Sequence, residues 1–162
     1  MFRVTFLGTG GSLPTAHRNP SAILVNRKGE LMLFDCGEGT QQQMMRAKTG
    51  MMKLSSIFIT HLHADHILGI PGLVQTMSFQ GRTDPLFIYA PERSGDEIEY
   101  LTRIGHTRPK FEVQIIELFP GDVVEVDEYD ILAIRTEHNV PSTGYALSTH
   151  PTPGGANRRP GS

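Results

Sequence analysis

The stretch Ser55–His66, SSIFITHLHADH, constrains this chain more than any other. Its first half is a short apolar run and reads as a strand buried on both faces. Its second half sets His61, His63, Asp65 and His66 in one short loop. A loop leaving a buried strand can aim several side chains at one point. His61 and His63 are two apart, so in extended backbone they point to the same side. Imidazole plus carboxylate is the donor set of Zn²⁺ or a similar borderline metal. Burying so many polar groups without a shared ion would be costly. An open catalytic zinc site takes about three protein ligands. Four candidates exceed that number and point to two metals sharing the loop. A structural zinc is disfavoured, because Cys36 is the sole cysteine and structural sites commonly use several thiolates.

The bulk numbers bound the rest. A length of 162 residues is that of one domain. The formal net charge is −2, so nucleic-acid binding would need a local basic patch or a partner. No apolar run approaches a membrane span, so no membrane association is expected. The opening MFRVTFLGTGG does not read as a signal peptide. One cysteine allows no internal disulfide and fits a reducing cytoplasm.

Strands are expected at RVTFLG, SAILVN, ELMLFD, SSIFIT and PLFIYA, and then at FEVQIIEL, DVVEVD, YDILAIRTEH and TGYAL. Helices are expected in GEGTQQQMMRAKTG, ending at Gly50, in PGLVQTMSFQG, opening at Pro71, and in SGDEIEYLTRIGH, capped by Ser94. Alternating strands and helices followed by a strand-rich block give α/β or α+β layers. GTGGS lacks the lysine and spacing of a nucleotide-binding loop and reads as a tight turn. Asp35 either holds an imidazole of His61 or His63 or caps the helix that follows it. His17, His106 and His150 are expected at the surface. Residues 148–162, rich in Pro, Gly, Ser and Arg, read as an unstructured, disordered tail after a domain spanning 1–147.

HLHADH after an apolar strand resembles the signature of the metallo-β-lactamase superfamily of dinuclear hydrolases. VTFLGTGGSLPTAHRNPSAILV, LMLFDCGEGTQQQMM, IFITHLHADHILGIPGLVQTMSF and TEHNVPSTGYAL together resemble ribonuclease Z, the endonuclease that removes the 3′ trailer from precursor tRNA. The likeness runs from about Phe2 to about Leu147. It implies an αββα sandwich, here ending after its N-terminal half. It implies zinc, with His61, His63 and His138 on a first ion and Asp65 and His66 on a second. It gives Asp65 the part of general base, and precursor tRNA that of substrate.

Beyond residue 147 the family implies a metal-bridging Asp, a late His, a His-bearing element that protonates the leaving group, and a basic tRNA-gripping arm. None has a counterpart in STHPTPGGANRRPGS. Without the bridge the second site is expected to empty first, leaving one or two zinc ions per chain. A half sandwich is expected to leave one sheet face apolar and uncovered, which favours a homodimer. The alternative expectation is a catalytically incompetent fragment or truncated paralogue that binds metal or a partner.

Overall fold

A computed structural model of the chain describes residues 1–126 and 128–150. A six-stranded sheet runs in the order β1 (Phe2–Gly8), β2 (Ala22–Arg27), β3 (Glu30–Phe34), β4 (Leu54–Phe58), β5 (Leu86–Pro91) and β6 (Val113–Leu118). β1 to β3 pair antiparallel, and β3 to β6 pair parallel. Parallel neighbours need crossovers, and helices supply them. They are α1 (Thr40–Arg46) after β3, α2 (Ala64–Ile67) and α3 (Ile70–Phe79) after β4, and α4 (Gly95–Thr102) after β5. β7 (Val123–Val126), β8 (Tyr129–Arg135) and β9 (Thr143–Thr149) form a separate antiparallel sheet.

Period-two alternation divides the large sheet between two cores. On β3, Leu31 and Leu33 join Met44, Leu73, Met77 and Ile98 of the helices. Met32, between them, joins Tyr129 and Ile131 of the small sheet. β2 and β5 alternate likewise, with Leu24 and Ile88 toward the helices and Val25 and Tyr89 toward the strands. β4 is central, and Ile57 and Phe58 are both buried, one in each core. The layers are therefore helix, sheet, sheet, three of the four in the expected αββα plan. A second helical layer is not among the described residues.

Aromatic rings fill the space between the sheets. Phe34 and Tyr89 stack on either side of Phe58, at 4.9 and 4.7 Å between centroids, and Tyr145 meets Phe58 edge-on at 5.3 Å. Arg27 and Lys28 at the β2–β3 turn pair with Glu128 beside β8, clasping the sheets together at one end. The sheet face expected to lie bare is thus covered by β7–β9 over most of its width. Apolar exposure persists at its β1 edge, where Val4 and Phe6 are 52% and 67% exposed, and on the small sheet at Val123, Leu132, Ile134 and Leu147.

Several boundaries differ from expectation. α1 stops at Arg46 rather than at Gly50, because Lys48 already turns into the left-handed region at φ 53. α4 stops at Thr102, and a separate 3-10 turn follows at Ile104–His106, with Gly105 at φ 77. Ser94 is the N-cap residue of α4, but its hydroxyl donates to the Pro91 carbonyl and accepts no helix N–H. Glu117 instead accepts the Gly95 N–H at 2.9 Å. Pro71 sits in the first turn of α3, one residue after Ile70 opens it. β9 continues to Thr149, past the boundary expected at Leu147, and the His150 N–H donates to the Glu128 carbonyl. The remainder of the expected tail, 151–162, lies outside the described residues. No described helix is long and apolar enough to cross a membrane.

Phe58 holds the inter-sheet aromatic stack together. Phe58→Ala should lower unfolding free energy by about 3–5 kcal/mol, measured by chemical denaturation. A loss under about 1 kcal/mol would mean that the two sheets do not share this core.

Candidate metal centre

β4 delivers the loop from the middle of the sheet. The backbone leaves Phe58, and His61 follows within three residues, still buried. His63 occupies the N-cap position of α2 in extended conformation (φ −65, ψ 143), and Asp65 and His66 lie on the helix itself. This short helix reverses the chain, so that all four side chains remain at one end of the sheet. Its position is set by the loop after β3. The Cys36 N–H donates to the His66 carbonyl, and the Gly69 N–H to the Cys36 carbonyl. The approach leaves no room for side chains: a Cβ on Gly37 would lie 2.6 Å from the Asp65 carbonyl oxygen, and one on Gly69 would lie 2.2 Å from the Gly37 carbonyl oxygen. Close passage of two backbones is thus the physical content of FDCGEG and GIPG.

His138 comes from the β8–β9 loop, far along the chain. Two hydrogen bonds bring it in. The Thr143 N–H donates to the Thr60 carbonyl at 2.8 Å, and the Tyr145 hydroxyl donates to the Ile59 carbonyl at 2.6 Å. They fasten the start of β9 to the end of β4. The ring of His138 then lies 4.7 Å from that of His61 and 5.2 Å from that of His63. One donor atom from each of the three residues falls within 4.8 Å of the others, so small rotations close them on one ion. His66 lies beside them, 4.0 Å from His61 between ring centroids, and its Nε2 is 3.3 Å from the Asp65 carboxylate. All five residues expected from the sequence therefore meet at one end of the sheet, with His61 buried and His63 and His138 open to solvent.

The hydrogen bonds also select tautomers. The Asp35 carboxylate can only accept, so His66 Nδ1, 2.8 Å away, carries the proton and leaves Nε2 free. Thr60 has one hydroxyl hydrogen and gives it to Asp35, at 3.0–3.1 Å. Its contact of 3.0 Å with His61 Nδ1 is then an imidazole N–H donating to the hydroxyl oxygen. Asn139 Oδ1 accepts from His138 Nδ1 at 2.7 Å. Three imidazoles thus keep an Nε2 lone pair for a cation, the usual arrangement of metal-bound histidines.

Asp35 does not reach His61 or His63 directly, which corrects one expectation: its partners are His66 and Thr60. It does not cap α1 either, since Gly39 holds the N-cap position without any side-chain bond. The buried carboxylate accepts the Thr60 N–H at 2.8 Å, and its own backbone sits in the left-handed region at φ 61. A strained non-glycine residue of this kind persists where its surroundings hold it in place. Burial, then the neighbouring His66, pushes the pKa of His61 below the ordinary histidine value. The hydrogen bond to Asp35 pulls that of His66 above it. The roles of Thr60 and Asn139 were not foreseen from the sequence. Only their adjacency to the two histidines marked them.

Comparison with known proteins agrees with this geometry. The family model described as Anti-Pycsar protein Apyc1 matches residues 2–152. Ribonuclease Z of Methanosarcina acetivorans is 64% identical over 98% of this chain and 52% of its own length, and that of Haloferax volcanii is 54% identical over 94% and 48%. The chain thus spans about half the length of these curated relatives. Among solved structures, human tRNase Z, short form, superposes with a TM-score of 0.83 at 36% identity, covering 92% of this chain and 64% of that one. The metallo-β-lactamase fold protein YhfI from Bacillus subtilis superposes at 0.73 with 23% identity, over 91% and 58%, and shares the fold.

Two substitutions test how the centre is built. In metal-free protein, the Asp35–His66 pair adds stability fully below pH 6.5 and loses it as pH rises through the elevated value of His66. The stability difference between the native chain and Asp35→Asn should therefore shrink as the solution is made alkaline, read by urea unfolding with a chelator present. A difference that grows with pH would contradict the pairing. Tyr145→Phe keeps the ring but leaves the Ile59 carbonyl without its donor, and should cost about 1–3 kcal/mol. Unchanged stability and unchanged metal affinity would show that this bond does not hold the β8–β9 loop.

Proposed function

This chain belongs to the Anti-Pycsar protein Apyc1 family, and on that premise we propose that it is built for zinc-dependent phosphodiester hydrolysis, the chemistry that removes the 3′ trailer of precursor tRNA. One observation carries this: His61, His63 and His138 converge from two distant segments beside Asp65 and His66, and hydrogen bonds at Nδ1 leave Nε2 free on His61, His66 and His138. The donor set fits a borderline divalent cation. His61, His63 and His138 would hold one zinc ion, and Asp65 and His66 would take part in holding a second. Bound there, zinc supplies Lewis acidity for phosphoryl transfer.

The chain's own residues have separable tasks. Asp65, half-buried at the mouth of the loop, would orient the attacking water and accept its proton. Asp35 keeps His66 in one tautomer and one orientation. Thr60 does the same for His61, and Asn139 for His138. Identity of 64% with a ribonuclease Z supports tRNA as the substrate class, whereas the family description names an anti-Pycsar protein instead. A metal-binding partner protein without turnover of its own is the second reading. It is favoured by the close donor cluster, which comprises three imidazoles among the described residues. Val4 and Phe6 offer apolar surface that a second copy would cover, supporting a homodimer. Burial pushes the Cys36 thiol up to about 12, so this cysteine is unreactive, and a single cysteine fits a reducing cytoplasm.

Elemental analysis of the purified chain should find one or two zinc ions per chain. Hydrolysis of bis(4-nitrophenyl) phosphate should depend on zinc, with His63→Ala and His138→Ala each losing both. Full zinc content with no hydrolysis would leave the non-catalytic reading. Zinc retained after both histidines are replaced would overturn the assignment of the centre. The solution mass tests the dimer, which a monomer mass at working concentration would exclude.

A further inference from the structure

The two methionine pairs in QQQMMRAKTGMMK line one cleft. Its volume is about 780 Å³, within the range of about 300–1,000 Å³ common to small-molecule sites. Met44 and Met45 reach it from the last turn of α1, and Met51 and Met52 from the segment that leads into β4. The turn between the pairs has a fixed path. Lys48 and Gly50 both adopt positive φ, at 53 and 72, and the Lys48 and Thr49 N–H groups donate to the Met45 and Met44 carbonyls. The buried Arg82 donates to the Met52 carbonyl at 3.0 Å. A firm backbone thus carries four unbranched thioether side chains, which adapt to irregular apolar shapes. Met44 and Met51 are buried, whereas Met45 is 51% exposed.

Lys48 and Lys53 line the same cleft, and no carboxylate does among the described residues. Neither lysine makes an ion pair there. A Cβ on Gly29 would lie 3.9 Å from Lys53 Nζ, which places that ammonium against the β2–β3 turn at the cleft wall. The adjacent Glu30 is engaged elsewhere, by the hydroxyls of Ser55 and Tyr129. Thioethers also suit a soft cation, but two ammonium groups at one cleft oppose any cation.

We propose that this cleft binds a free amphiphilic anion, a flexible hydrocarbon chain of medium length ending in a carboxylate or phosphate. The chain lies against the methionines, and the head meets Lys48 and Lys53. Parallel β3 and β4 both begin beside the cleft and run toward the metal loop, so the two sites stand at opposite ends of the sheet. The amphiphile site therefore does not rest on the phosphodiesterase reading.

The test is calorimetric titration of the full chain with hexanoate, octanoate, decanoate and decanol, each below its micelle-forming concentration. A chelator is present so that no metal takes the carboxylate. Affinity should rise about fourfold with each added methylene. Decanoate should bind about fivefold more tightly than decanol. Replacing both lysines, Lys48→Ala with Lys53→Ala, should erase that margin and leave decanol binding unchanged. Decyl phosphate should lose its margin over decanol in the same variant. Met45→Glu, a change at a half-exposed position, should weaken decanoate more than decanol. Affinity indifferent to chain length, or decanoate binding unchanged by loss of both lysines, would overturn the site. So would sedimentation with phosphatidylglycerol vesicles in the absence of decanoate binding, which would make this surface a membrane contact.

Discussion

The segment that follows β4 leans on one buried carboxylate. Asp35 stands at the end of β3, next to the end of β4, and accepts three donors there: the Thr60 N–H, the Thr60 hydroxyl and His66 Nδ1–H. A buried charge is tolerable only when it is met in this way. Because the donors belong to the loop and short helix that follow β4, the carboxylate sets the path of that segment as well as its protonation. Its left-handed backbone, unusual for a residue other than glycine, is what turns the side chain back toward β4. The constraint is mutual: the loop compensates the charge, and the charge orders the loop.

The second dependence is between layers. His138 belongs to the small sheet, whereas His61 belongs to the large one. Their meeting requires the sheets to pack in one register. The stack of Phe34, Phe58 and Tyr89 under Tyr145 sets the spacing, and the Tyr145 and Thr143 bonds to the β4 end set the alignment. Tyr145 thus works at both scales, with its ring in the inter-sheet core and its hydroxyl beside the metal loop. Burial pushes the ionisation of that phenol upward, so it remains a donor across the range where proteins are stable.

The parts legible in the sequence were those governed by local periodicity or by crowding of donors. Every expected strand exists, because short apolar runs such as Leu31–Leu33 and Phe87–Tyr89 between turn residues are a local property of the sequence. Helix ends were less legible. Gly50 looked like a terminus, but the helix had already ended where Lys48 and Thr49 could satisfy its last carbonyls. Ser94 occupied its expected position without making the expected bond, because Glu117 on a neighbouring strand supplied the acceptor first. His61, His63, Asp65 and His66 announced themselves by density. His138 did not: its approach depends on tertiary bonds that no spacing encodes, and family likeness alone pointed to it. Asp35 was legible as a candidate but not in its partner, since only the turn of α2 brings His66 rather than His61 or His63 to the carboxylate.

The centre is also asymmetric in rigidity, and that bears on how binding and folding are linked. His61 and His66 are held by Asp35 and Thr60 within the body of the domain. His63 and His138 stand at the surface, one on the loop after β4 and one on the loop between β8 and β9. A cation coordinated by His61, His63 and His138 would therefore join the two sheets at the end opposite the Arg27–Glu128 clasp. Ions that bind the folded chain and not the unfolded one stabilise it by linkage. The same three nitrogens that would supply a Lewis acid with its ligands would thus also supply the sandwich with a cross-link. Stability gained from such a metal and access to it would draw on opposite properties of the β8–β9 loop, closure and openness. The fold reconciles them by anchoring β9 through Thr143 and Tyr145 while leaving the imidazole of His138 exposed at the tip.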